Sequence, residues 1–136
     1  MATLRGYRLT TCDRKPMDPL VEKQELTALT YDDETFAGII SSDTLEHVEQ
    51  MADAIQELHR VTKPGGFLLA GVPVGDREVT ARCPEDHPDR KWNHIWLPGR
   101  DLLDIALKPY YRHIGTVESF AGSRMRLSVI WILEKR

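Results

Sequence analysis

Cysteine is scarce: the 136 residues hold two, Cys12 and Cys83, far apart in sequence. Such spacing excludes a dense disulfide framework, and two separate, reduced thiols are expected. No apolar run approaches the roughly 18 to 20 residues that a membrane-crossing helix needs. The opening Met1-Ala2-Thr3-Leu4-Arg5 carries no apolar core of the secretory kind, so a cytoplasmic location is the expectation. A basic stripe that would grip nucleic acid is also missing. Net charge is −3, opposite charges are interspersed, and Arg124 with Arg126 is too small a cluster to count. No internal repeat or low-complexity tract is found.

What is present is a globular composition, 41% apolar and 29% charged, at the length of one domain spanning 1–136. Strand and helix patterns alternate, which predicts an α/β fold with a mostly parallel sheet. The first strand candidate is Tyr7 to Cys12, ending at Asp13, followed by a short strand around Leu20 to Gln24. Phe36 to Ser41 is apolar, then polar at its end, and leads into the strongest helix pattern. From Thr44 to Lys63, Leu45, Val48, Met51, Ala52, Ile55 and Leu58 recur at three- and four-residue steps. Asp43 and Glu46 have the spacing of a capping box, and Lys63-Pro64-Gly65-Gly66 ends the helix. Phe67 to Pro73 lacks polar alternation, which predicts a strand buried on both faces. A long polar segment, Val74 to Trp96, follows; then Pro98 opens a helix to about Leu107. Two final strands, near Tyr111 to Phe120 and Arg126 to Glu134, are close enough to pair antiparallel through a linker with Gly122 and Ser123.

Three stretches in this order resemble the methyltransferase type 11 branch of the class I S-adenosylmethionine-dependent family. Glu25-Leu26 through Asp33-Glu34-Thr35-Phe36 is similar to the family's acidic-Leu pair and entry to the fourth strand. Ser41-Ser42-Asp43-Thr44-Leu45-Glu46-His47-Val48 is similar to its helix start, and Glu57-Leu58-His59-Arg60-Val61-Thr62-Lys63-Pro64-Gly65-Gly66 to its helix end and turn. Asn93-His94-Ile95-Trp96 resembles the histidine before the last helix. The resemblance implies a Rossmann-like, mostly parallel sheet with helices on both faces and a C-terminal antiparallel pair, in the order 3-2-1-4-5-7-6.

It also implies roles. S-adenosylmethionine would be the cofactor, its ribose held by Asp13 and its adenine by Glu25 or Leu26. Ser41, Ser42 and Asp43 would line the cofactor floor, with His47 as base and Trp92 and His94 facing a small-molecule acceptor. The physics agrees, since ligands of open parallel sheets sit beyond the strands' carboxyl ends. For Asp13 the competing reading is a turn-former, a favoured use of Asp; for His47, capping or packing stands beside general-base work. Trp96 is expected to pack the loop onto the sheet, and Trp131 to be core.

Two departures from the family pattern stand out. No Gly-x-Gly occurs anywhere in the chain, and Ala37 follows Phe36 where the family has Asp. The expectation is a fold truncated at its N-terminus, without the central first strand and its glycine-rich loop. Unpaired strand edges attract further strands, so a homodimer, or a partner chain filling the gap, is expected. The function expected is methyl transfer to a small molecule, or that of a silent remnant, a binding subunit or one part of a split enzyme. Cys83, His87 and His94 are all zinc-ligand types, but their Cys-x3-His-x6-His spacing is a poor match to zinc signatures. No metal is expected from that string.

Overall fold

The computed structural model describes residues 3–4, 6–121 and 126–136. Four strands form the main sheet: β1 (Phe36–Ser42), β2 (Thr62–Pro73), β3 (Tyr111–Ala121) and β4 (Arg126–Lys135). Their order is β1-β2-β4-β3. β1 and β2 are parallel, with Ile39 opposite Leu68 and Ser41 opposite Ala70. β4 runs antiparallel to both β2 and β3, so three strands share one direction and β4 alone is reversed. This is the 4-5-7-6 portion of the order that the resemblance implies. The C-terminal antiparallel pair is where the sequence put it; its linker, Gly122 and Ser123, lies outside the described residues.

The sheet's inward residues alternate with period two. Leu68, Ala70 and Val72 of β2, with Val129, Trp131 and Leu133 of β4, are buried in one cluster. Helix α1 (Met51–Val61) lies on this face because Met51, Ala54, Ile55, Leu58 and Val61 recur on one side of it and are all buried. Leu103 and Leu107, on a helical turn at Leu103–Leu107, complete the cluster. Of the two faces expected to carry helices, this one does among the described residues. The opposite face is apolar and partly open: Ile40 is 72% exposed, Phe67 45% and Val117 49%. β2 is therefore fully buried on one face and not on both. Phe67 lies flat on Gly38 across the strand pair; a Cβ there would come within 2.1 Å of its ring carbons.

Three expected elements are corrected. The Tyr7 to Cys12 strand does not join the main sheet. Tyr7–Arg8 pairs with Thr3–Leu4, and Cys12–Asp13 pairs in parallel with Glu22–Lys23. Tyr7 and Leu9 are 70% and 53% exposed; no described strand stands beside β1 to connect them to it. The Thr44–Lys63 helix is broken into a 3-10 turn at Leu45–His47 and α1, with Val48 in extended conformation. The break has a donor on each side: Ile95 N–H donates to the Glu46 carbonyl at 2.8 Å, and Trp96 Nε1–H to the Val48 carbonyl at 2.9 Å. Those bonds replace helical ones. The capping box does not form either, because Asp43 has φ of 49°, Thr44 occupies the N-cap, and Glu46 turns inward.

The polar segment after β2 is organised. Ala81–Arg82 pairs with Trp96–Leu97, and a 3-10 helix spans Pro88–Trp92 with His87 capping it through Nδ1, which accepts from Asp89 N–H. Asp101 Oδ1 accepts from both the amide and the hydroxyl of Thr80 at 2.7 Å. Neither cysteine is in a disulfide; Cys12 is exposed and Cys83 buried. Among the described residues no helix is long and apolar enough to cross a membrane.

Candidate functional site

Beyond the carboxyl end of β1 lies a cavity of about 550 Å³, lined by Arg14, His47, Glu85, Arg90, Trp92 and Ile95, with Asn93. The 3-10 turn delivers His47, and the Pro88–Trp92 helix delivers the opposite wall. His47 Nδ1 is 3.0 Å from the Asn93 carbonyl oxygen. A carbonyl only accepts, so Nδ1 carries the proton and Nε2 keeps its lone pair. The His47 and His94 rings meet edge to face with centroids 4.8 Å apart. Trp92 is 61% exposed at the rim, with Lys91 Nζ 5.2 Å from its ring centroid. His47, Trp92 and His94, expected on the acceptor side, are thus brought together.

Next to His47 in the chain, Glu46 is 1% exposed, and neither carboxylate oxygen is hydrogen-bonded by another described residue. Its Oε1 lies 3.8 Å from His47 Nε2. Burial pushes its carboxyl up to about 7, with the charge of Asp43 adding to the effect. Asp89, fully buried, places Oδ2 3.9 Å from both His87 Nδ1 and His94 Nδ1. Arg90 donates to the His94 carbonyl at 3.2 Å and pairs with Glu85. Sequence reasoning missed Glu46, Asp89, Arg14 and Arg90. Glu46 stood in the motif itself, but a capping role there predicts a solvated carboxylate.

The residues expected to hold the cofactor are more dispersed. Asp13 is exposed, and its Oδ1 accepts from Lys15 N–H at 2.7 Å, the turn that Asp favours. Glu25 is exposed just after the short strand Glu22–Lys23, where Gln24 N–H donates to the Asp13 carbonyl at 3.0 Å. Leu26 is half-buried against the core. Ser41 is buried, and its Oγ has no hydrogen-bond partner among the described residues. Ser42 and Asp43 are exposed at the end of β1, where Asp43 N–H donates to the Gly71 carbonyl at 3.0 Å.

The strand order β1-β2-β4-β3, with β4 reversed, is that of the class I methyltransferase fold. Residues 6–70 match the family described as "Methyltransferase domain", in keeping with the type 11 resemblance that the sequence motifs carry. It is 30% identical over 96 residues to the demethylmenaquinone methyltransferase of Streptomyces avermitilis, covering 68% of this chain and 34% of that protein. The chain thus spans about a third of that relative's length. Among solved structures it is similar to the N-methyltransferase NodS of Bradyrhizobium japonicum WM9 in complex with S-adenosyl-L-homocysteine. The TM-score is 0.67 at 19% identity, covering 94% of this chain and 66% of that one. The 4+2 cyclase SpnF shares the fold as well, with a TM-score of 0.63 at 13% identity over 85% of this chain and 55% of that one.

Proposed function

We propose that the chain is the catalytic-side unit of an S-adenosylmethionine-dependent methyltransferase acting on a small-molecule acceptor. The observation that carries this reading is His47 at the cavity wall, its Nδ1–H held by Asn93 and its Nε2 lone pair free to take a proton. Demethylmenaquinone, the acceptor in the relative's name, is a small molecule. Trp92 gives the cavity an aromatic surface, and Arg14 lines it together with the paired Arg90 and Glu85.

The cofactor's expected contacts fit in part. Glu25 and Asp13 offer exposed carboxylates, Leu26 an apolar surface, and Ser41 a buried hydroxyl in want of a partner. Bound there, S-adenosylmethionine supplies an electrophilic methyl group on sulfur. No Gly-x-Gly loop exists in the chain to cradle the methionine half. We assign that half to a polypeptide segment that carries such a loop, set against the outer edge of β1, which has no neighbour among the described residues.

Release of S-adenosylhomocysteine with a panel of phenolic and amine acceptors tests this. His47→Ala is expected to lower kcat by about 10²- to 10⁴-fold, the usual worth of a positioned base. Absence of turnover with every acceptor favours the second reading, a binding subunit or one part of a split enzyme. That reading is supported by the lack of a glycine loop and by the cyclase on the same fold.

A further inference from the structure

We infer that Glu46, His47 and His94 form a three-ligand site for a divalent transition-metal ion of the zinc type. One ligand atom from each lies within 4.8 Å of the other two. Around a shared zinc at about 2.1 Å, tetrahedral ligands stand about 3.4 Å apart, so the site closes by roughly an ångström when filled. Two imidazoles and one carboxylate leave further coordination positions open, and His47 itself lines the cavity.

The independent sign is Glu46. Both its oxygens are buried with no hydrogen bond from another described residue, His47 Nε2 standing 3.8 Å from Oε1, and a carboxylate so placed costs several kcal/mol. A cation repays that cost. The outer shell is also in place. The Asn93 carbonyl fixes the His47 tautomer so that Nε2 is the ligand atom, and Asp89 stands 3.9 Å from His94 Nδ1 to orient that ring. This group differs from the Cys83, His87 and His94 string considered in the sequence, of which it shares only His94.

For catalysis the site deepens the methyl-transfer reading and rests on it: an acceptor oxygen or nitrogen on the ion would lose its proton more readily, and the ion would take the place of His47 as the activating group. Binding itself does not depend on that reading. The test is titration of the chelator-treated chain with Co²⁺, without cofactor or acceptor. Expected are visible absorption bands saturating at one equivalent, no thiolate charge-transfer band, and displacement by Zn²⁺. Glu46→Gln and His94→Ala each weaken binding at least about 100-fold, while Cys83→Ala leaves it unchanged. Should a variant fail to fold, ring NMR of the parent chain decides: of its five histidines, only His47 and His94 should move directly with Zn²⁺. No saturable binding, a thiolate band, or full affinity in Glu46→Gln would overturn the proposal. Such a result leaves methyl transfer standing, since turnover is measured separately.

Discussion

Glu46 has a folded-state pKa of about 7 against an ordinary value of 4.5. The folded chain therefore holds this proton more tightly than the unfolded chain. That contribution to stability is complete below the unfolded value and is lost as pH rises through the folded one. With metal removed by chelator, urea unfolding should show stability falling between about pH 4.5 and 7, by up to about 3 kcal/mol. Glu46→Gln should flatten that window and be the more stable form at pH 8; equal slopes for both proteins would contradict the account. None of this was legible in the sequence. Glu46 occupies a helix-start motif, and its burial depends on Ile95 and His94, nearly fifty residues away. His47 and His94 were legible, because their residue type and motif carry chemistry wherever the backbone breaks.

At the scale of elements, α1 is held to the segment before β1 by Arg60. Its guanidinium donates to both oxygens of Glu57, to Asp33 Oδ1, and to the carbonyls of Leu29 and Tyr31. Glu57 in turn accepts from Leu29 N–H at 2.9 Å. Arg60 holds the Glu57 carboxyl below the ordinary range, so this contribution is present above pH 4.5 and is lost as pH falls through the lowered folded value. Arg60→Ala should speed amide exchange at 29–33 and leave the core strands protected; unchanged exchange there would remove its role as a clamp. Leu58→Ala, within the buried stripe of α1, should cost about 2 to 5 kcal/mol in chemical unfolding. The strands β1 to β4 and the stripe of α1 were legible because period-two and period-3.6 patterns survive without tertiary knowledge. The start of α1 was not, since donors from Ile95 and Trp96 take its carbonyls. Nor was the fate of Tyr7 to Cys12, whose pattern suits a strand but finds no described neighbour at β1.

Across the whole molecule the sheet has one covered face and one apolar face that is partly open, ending at β1. Pairing along that edge is the proposed route to a two-fold dimer. Light scattering should then give about twice 15.6 kDa. Ile40→Lys, at a side chain already 72% exposed, should restore the single-chain mass without lowering the melting temperature; a single-chain mass for the parent would reject the dimer. The strand order was legible as a consequence of the family resemblance, and the open face was not, because no local pattern states what covers a strand from outside. The central claim is that the chain serves an adenosyl cofactor through Asp13, Glu25 and the residues at the end of β1, although no Gly-x-Gly is present. Calorimetry of the purified chain with S-adenosylhomocysteine tests it most directly. The account predicts saturable binding that Asp13→Ala or Glu25→Ala weakens; no heat with either S-adenosylhomocysteine or S-adenosylmethionine would contradict it.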